Sequence, residues 1–132
     1  MDELLVPVSP GELLDKITIL RIKSARVRDA GKLTNIRREL ALLEQTRQRS
    51  MPADAQLDAD EADLEKVNAQ LWDIEDRIRK LESQQRFDAD FIELARSVYI
   101  HNDERADIKQ RINRKLNSTI VEEKSYQPYR KS

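Results

Sequence analysis

His101 and Arg105 stand four residues apart at positions where a helical apolar stripe should run on unbroken. Phe91, Leu94 and Val98 lead up to them, and Ile108 and Ile112 resume the stripe afterwards. A histidine can act as a general base, and an arginine can grip an anion or a carboxylate. If this helix turns back near Phe87 onto the one before it, residues equidistant from the turn lie side by side. His101 and Asn102 then fall level with Trp72 and Asp73, and Arg105 falls near Asn68 and Ala69. The spacing therefore predicts a polar cluster of Trp72, Asp73, Asp76, Tyr99, His101, Asn102 and Arg105 at mid-height. A buried Arg or His beside a carboxylate is costly unless it is paired and hydrogen-bonded. Such a cluster is a structural layer that fixes helix register, or it is a small binding pocket. Complete pairing of Arg105 with Asp73 or Asp76 favours the first reading. A pocket holding Arg105 and a second cation, with no acid nearby, favours the second.

A second candidate is the stretch from Ser9 to Lys16. A helix N-terminus offers free amides and the positive end of its dipole, which suits an anion. Glu12 and Asp15 already occupy that first turn, where they stabilise the helix and repel phosphate. Lys16 alone does not reverse this, so capping is the favoured role.

Other chemistry is thinly represented. The one histidine has no glycine-rich loop or nucleophile elbow beside it. Metal sites on helix bundles use paired Glu and Glu-x-x-His elements, and neither Glu-x-x-His nor His-x-x-x-His occurs. The absence of cysteine excludes a disulfide framework, a thiolate metal site and a cysteine nucleophile. No catalytic residue, metal or cofactor is expected. With 24 basic and 25 acidic residues, no charge excess drives binding to nucleic acid or an anionic membrane. The local run Arg21, Lys23, Arg26 and Arg28 reads as a solvated helix face.

The elements that would position these groups are helices. Only two glycines and four prolines punctuate 132 residues, 37% of them charged, which points to an all-α chain. Ser9, Pro10 and Glu12 announce the first helix as N-cap, first helical residue and capping box, with Val8 and Leu13 as a staple. Its stripe is wide, through Leu13, Leu14, Ile17, Ile19, Leu20, Ile22 and Val27, so it should lie centrally, with Gly31 ending it in a left-handed turn. Leu33, Ile36, Leu40 and Leu43 mark the second helix, broken by residues 50–54. Asp58 and Glu61 offer a capping box for the third. Leu57, Leu64, Leu71 and Ile78 alternate there with Val67, Ile74 and Leu81, the seam of a helix packed lengthwise on others. Asp73/Arg77, Glu75/Arg79 and Asp76/Lys80 place an acid four residues before a base. Asp88 should cap the fourth helix, with Phe87 and Ile92 as a second staple. Asn102-Asp103 could split it.

The expected architecture is one domain over 1–132. Helices at about 9–30, 33–49, 58–85 and 88–117 form antiparallel hairpins in a three- to four-helix bundle with coiled-coil-like packing. An extended tail, 118–132, should lie back across the bundle, since a disordered tail rarely keeps two tyrosines. The N-terminus lacks the basic start and long apolar core of a signal peptide, and no stretch nears the ~20 apolar residues of a membrane span. A cytoplasmic protein is expected.

Four stretches carry a resemblance. Residues 8–20, VSPGELLDKITIL, resemble the opening signature of a small bacterial family of unknown function. Residues 71–79, LWDIEDRIR, are similar to its central motif. Leu94 to Tyr99 with Asn102-Asp103 resemble the third, and residues 121–126, VEEKSY, the closing one. The sequence departs from that pattern at Arg21, where an acidic residue would follow Ile19-Leu20. The resemblance implies no catalytic residue. It implies an accessory role, since members tend to be encoded near or joined to glycosyltransferase-type and surface-polysaccharide proteins. It also points to tail and helix-one contacts among Glu12, Asp15, Lys16, Glu122, Glu123, Lys124 and Tyr126.

The leading expectation is thus a non-enzymatic interaction module with a protein partner, or with itself as a homodimer. The alternative is a small-molecule binder or small helical enzyme using the polar cluster. Residues 87–92 faintly resemble a helix opening in short all-helical chorismate mutases, whose long first helix with ordered arginines and acids has no match here.

Overall fold

The computed structural model describes residues 1–125 and 127–129. Among the described residues, four helices make up the fold: α1 (Pro10–Arg26), α2 (Ala30–Ser50), α3 (Ala55–Ser83) and α4 (Ala89–Lys115). No strand occurs among the described residues. α3 and α4 form an antiparallel hairpin, and α1 packs closely on α2, α3 and α4, whereas the α2 backbone lies close to α1 alone and meets α3 through side chains such as Arg47. The core follows from this placement. Leu13, Leu14 and Ile17 of α1 meet Leu57, Leu64 and Val67 of α3 and Ile112 of α4, with Leu40, Leu43, Met51, Ile108 and Leu116 packed around them.

Local chemistry sets the helix ends. The Ser9 hydroxyl accepts from the Glu12 amide at 3.1 Å, and Pro10 takes the first helical position, where its missing N–H costs nothing. The reciprocal half of that capping box is not made, because the Glu12 carboxylate reaches Lys109 instead. α1 ends earlier than expected, at Arg26, and Gly31 lies inside the first turn of α2 without positive φ. Asp29 is the residue that starts α2, accepting from the Lys32 amide. For α3, Asp54 caps in place of Asp58, accepting from the Gln56 and Leu57 amides at 2.7 and 3.2 Å. Asp58 therefore falls in the first turn and pairs with Arg47. Gln85 and Asn117 end α3 and α4 in the left-handed region, φ 54° and 52°. The amides of Arg86 and Ser118 return to the Leu81 and Asn113 carbonyls, a Schellman-type stop.

α4 runs unbroken through Asn102-Asp103. Asp88 caps it as expected. The second staple does not form: Phe87 meets the edge of Phe91 at 5.2 Å, and Ile92 stays 55% exposed. The three acid–base spacings on α3 also stay open. Asp73 is drawn instead to Arg26 at the end of α1.

Candidate functional site

The charged groups collect where α1 lies against α4. The Gly11 amide donates to Asn113 Oδ1 at 2.7 Å, which brings the two backbones close. One turn further on, Asp15 is 1% exposed. Arg105 reaches both its oxygens, with Nε 2.9 Å from Oδ1. Asn68 of α3 donates to the same carboxylate at 2.9 Å and to the Thr18 hydroxyl at 3.0 Å. Lys109 stands between three acids: Glu12 at 2.5 Å, Glu122 at 3.2 Å and Asp15 at 3.7 Å. Glu122 in turn accepts from the Ser9 hydroxyl, so the tail is tied to the cap of α1.

The electrostatics follow from these contacts. Burial alone would push the Asp15 carboxyl up. Hydrogen bonds from Arg105 and Asn68, then the charges of Arg105 and Lys109, outweigh it and hold the group below the ordinary carboxylate value. Burial likewise pulls the Lys109 ammonium down, but Glu12, Asp15 and Glu122 hold it above the usual lysine value. Glu122 is held low, first by the Ser9 hydroxyl and, against burial, by Lys109. The network is thus a set of permanent charges that complete one another.

The expected mid-height cluster does not come together as one group. Arg105 joins Asp15 rather than Asp73 or Asp76. Trp72 and Asp73 meet Arg26, whose guanidinium sits 5.9 Å from the indole centroid. Asp76 is exposed and makes no ion pair among the described residues. His101 Nδ1 lies 2.8 Å from the Ser97 carbonyl of its own helix. Tyr99 and Asn102 line a cleft of about 720 Å³ between α4 and the tail, with Asp103, Asp107, Lys124 and Tyr129. The Tyr99 and Tyr129 rings are 4.8 Å apart there, and Lys124 bonds Asp107 at 2.7 Å. Glu123 lines an adjoining cleft with Arg105 and Lys109. Lys16 is exposed and stands 4.0 Å from Glu12. Tyr126 lies outside the described residues.

Several members of the network were not singled out from sequence. Lys109 and Asn113 follow Arg105 at four and eight residues, so the polar stripe that starts at His101 continues down α4. Gly11, one of two glycines, was a further signal, since glycine inside a helix marks a close approach. A second network lies across α1, α2 and α3, where Arg21 meets Glu44, Glu61 and Glu65 at 3.5–3.8 Å. That gives the departure at Arg21 a local partner set. Asp60, 1% exposed, takes Arg111 and Lys115 from α4.

Among the described residues, no group of three or more His, Asp or Glu is placed to hold a metal ion, and no helix is long and apolar enough to cross a membrane. No curated protein and no solved structure matches the chain. The sequence model of one family matches residues 4–130, nearly the whole chain. The chain belongs to that family, a family of unknown function (DUF6165).

Proposed function

We propose that the protein is a non-enzymatic, cytoplasmic interaction module, working as one unit over 1–132. In this reading α1–α4 act as an antiparallel bundle with coiled-coil-like packing, and the apolar faces left after packing carry the contacts, with charged flanks setting orientation. The observation that carries it is the mutual satisfaction of Asp15, Arg105, Lys109, Glu12 and Glu122. Groups so bonded hold α1 and the tail to α4, and their chemistry is taken up there. Apolar surface is meanwhile left open at opposite ends: the lead, with Leu4, Leu5, Val6 and Val8, and the turn of the α3–α4 hairpin, with Phe87 and Ile92. The resemblance noted above makes a glycosyltransferase-type or surface-polysaccharide protein the partner class, docked on the lead. The test is capture from the native host with the tagged chain. Recovery of such a protein by the wild type, and its loss with Leu4→Asp/Leu5→Asp, is expected. Recovery of the chain alone would sink the reading.

The α4–tail cleft supports a second reading, a small-molecule binder, because its volume falls in the range of ligand sites. A thermal-shift screen in which Tyr99→Ala abolishes a ligand's effect would favour it.

A further inference from the structure

The seam of α3 changes character along its length. Leu57 and Leu64 are fully buried and Val67 nearly so, where α1 fills the groove between α3 and α4. Arg26, the last residue of α1, marks the end of that cover at Trp72 and Asp73. Beyond it Ile74 and Leu94 are buried between the two helices, but Ile78 and Leu81 of α3 and Phe91, Ala95 and Val98 of α4 are only part-buried. α2 does not cover this stretch of hairpin: it runs back along α1 from this level, and its ion pairs with α3 lie at the other end, where Arg47 meets Asp58 and Glu61. A two-helix hairpin buries only the middle of its seam. It needs a further helical layer.

Surface area says how much cover is missing. A compact monomer of 15.4 kDa exposes about 7,200 Å² by the usual scaling. This chain exposes 9579 Å², about a third more. The extended lead and tail contribute to that excess, as does the hairpin beyond α1. A stable dimer needs about 800 Å² from each partner, well within the surplus.

Charge selects the occupant. On α3 an acidic block, Asp73, Glu75 and Asp76, is followed directly by a basic block, Arg77, Arg79 and Lys80. Glu75, Asp76, Arg77, Arg79 and Lys80 are exposed and make no ion pair among the described residues. A partner of one charge sign would be attracted by one block and repelled by the other. A two-fold axis crossing α3 near Asp76 sets each block level with the opposite block of the second copy. The interface is then isologous and closed.

We propose that the distal α3–α4 hairpin is a homodimer surface, covered by the same hairpin of a second, antiparallel copy. This deepens the interaction-module reading and rests on it. It leaves the N-terminal lead for the heterologous partner.

Sedimentation velocity on the purified full chain tests it. The wild type is expected at twice 15.4 kDa across the micromolar range. Arg77→Glu/Arg79→Glu should weaken the dimer at least tenfold while circular dichroism stays unchanged, because both side chains are exposed. Adding Glu75→Lys/Asp76→Lys exchanges the signs at the four charges nearest the axis, with Asp73 and Lys80 left as they are, and should recover the dimer. Ile92→Glu should dissociate it, and Leu42→Glu on α2 should not. A monomer throughout, or a dimer indifferent to every hairpin variant, would overturn the proposal. Because this measurement needs only the purified chain, its failure is distinct from failed capture in the native host.

Discussion

Gly11 and Asn113, 102 residues apart in the chain, are joined by a 2.7 Å hydrogen bond from the Gly11 amide to the Asn113 side chain. A Cβ at residue 11 would stand 2.6 Å from the Lys109 carbonyl oxygen and 2.9 Å from Asn113 Oδ1. The carbonyl belongs to a helix backbone and cannot swing aside. The start of α1 therefore reaches α4 only because residue 11 has no side chain. That approach in turn brings Glu12 and Asp15 to Lys109 and Arg105.

Gly11→Ala should accordingly destabilise the fold by about 1–3 kcal/mol, the usual cost of overpacking. Gly31→Ala is the contrast. Its nearest obstacle is the Asp29 side chain at 3.4 Å, and alanine in a helix should gain up to about 1 kcal/mol. Urea denaturation of the two variants measures both signs.

Stability should be lost toward acid pH and should hold through neutrality. Asp15 and Glu122 titrate in the folded chain below their ordinary values. Their contribution is complete above the unfolded carboxylate range, ~4, and disappears as pH falls through the lower folded values. Lys109 is shifted up, so its contribution is complete below the unfolded lysine value, ~10.4, and disappears as pH rises through the folded one. A plateau bounded on both sides is expected, and Asp15→Asn should flatten the acid limb. Unfolding midpoints measured against pH would show it.

The tail should loosen when its anchors are removed. Glu122 is held by Ser9 and Lys109, and Lys124 by Asp107. Glu122→Gln should speed tryptic cleavage at Lys124 while helix content stays constant. Ser9→Ala should do the same and also cost about 0.5–2 kcal/mol through the lost cap. Cleavage rates equal to wild type would contradict the anchoring.

Much of the secondary structure was legible in the sequence, because short-range chemistry decides it. Ser9-Pro10 and Asp88 cap their helices as their residue types require, and Leu57, Leu64 and Val67 of the α3 seam are buried in the core. Asp54 outcompeted Asp58 because it stands just after Pro52-Ala53, where the chain is still extended and can place its carboxylate over the first amides. The site was harder to read. Arg105 stands out as a misfit in its stripe, but hairpin arithmetic relates only neighbouring helices and so points it to α3. Asp15 comes from α1, which no local spacing links to α4. Asp73 and Trp72 were diverted to Arg26 for the same reason. The three acid–base spacings on α3 were possible pairs, and exposed pairs gain too little to hold long side chains in place.

The central claim is that the motif charges hold the fold together and do not await a ligand. A double-mutant cycle on Asp15 and Arg105, read as unfolding free energy in urea, tests it most directly. Removing one partner should cost up to about 3–5 kcal/mol, less what Lys109 and Asn68 still give Asp15 and what solvent gives the part-buried Arg105. Asp15→Leu combined with Arg105→Met should lose clearly less than the two single losses added together. Single variants as stable as the wild type, with additive effects, would contradict the account and mark the pair as poised for something else.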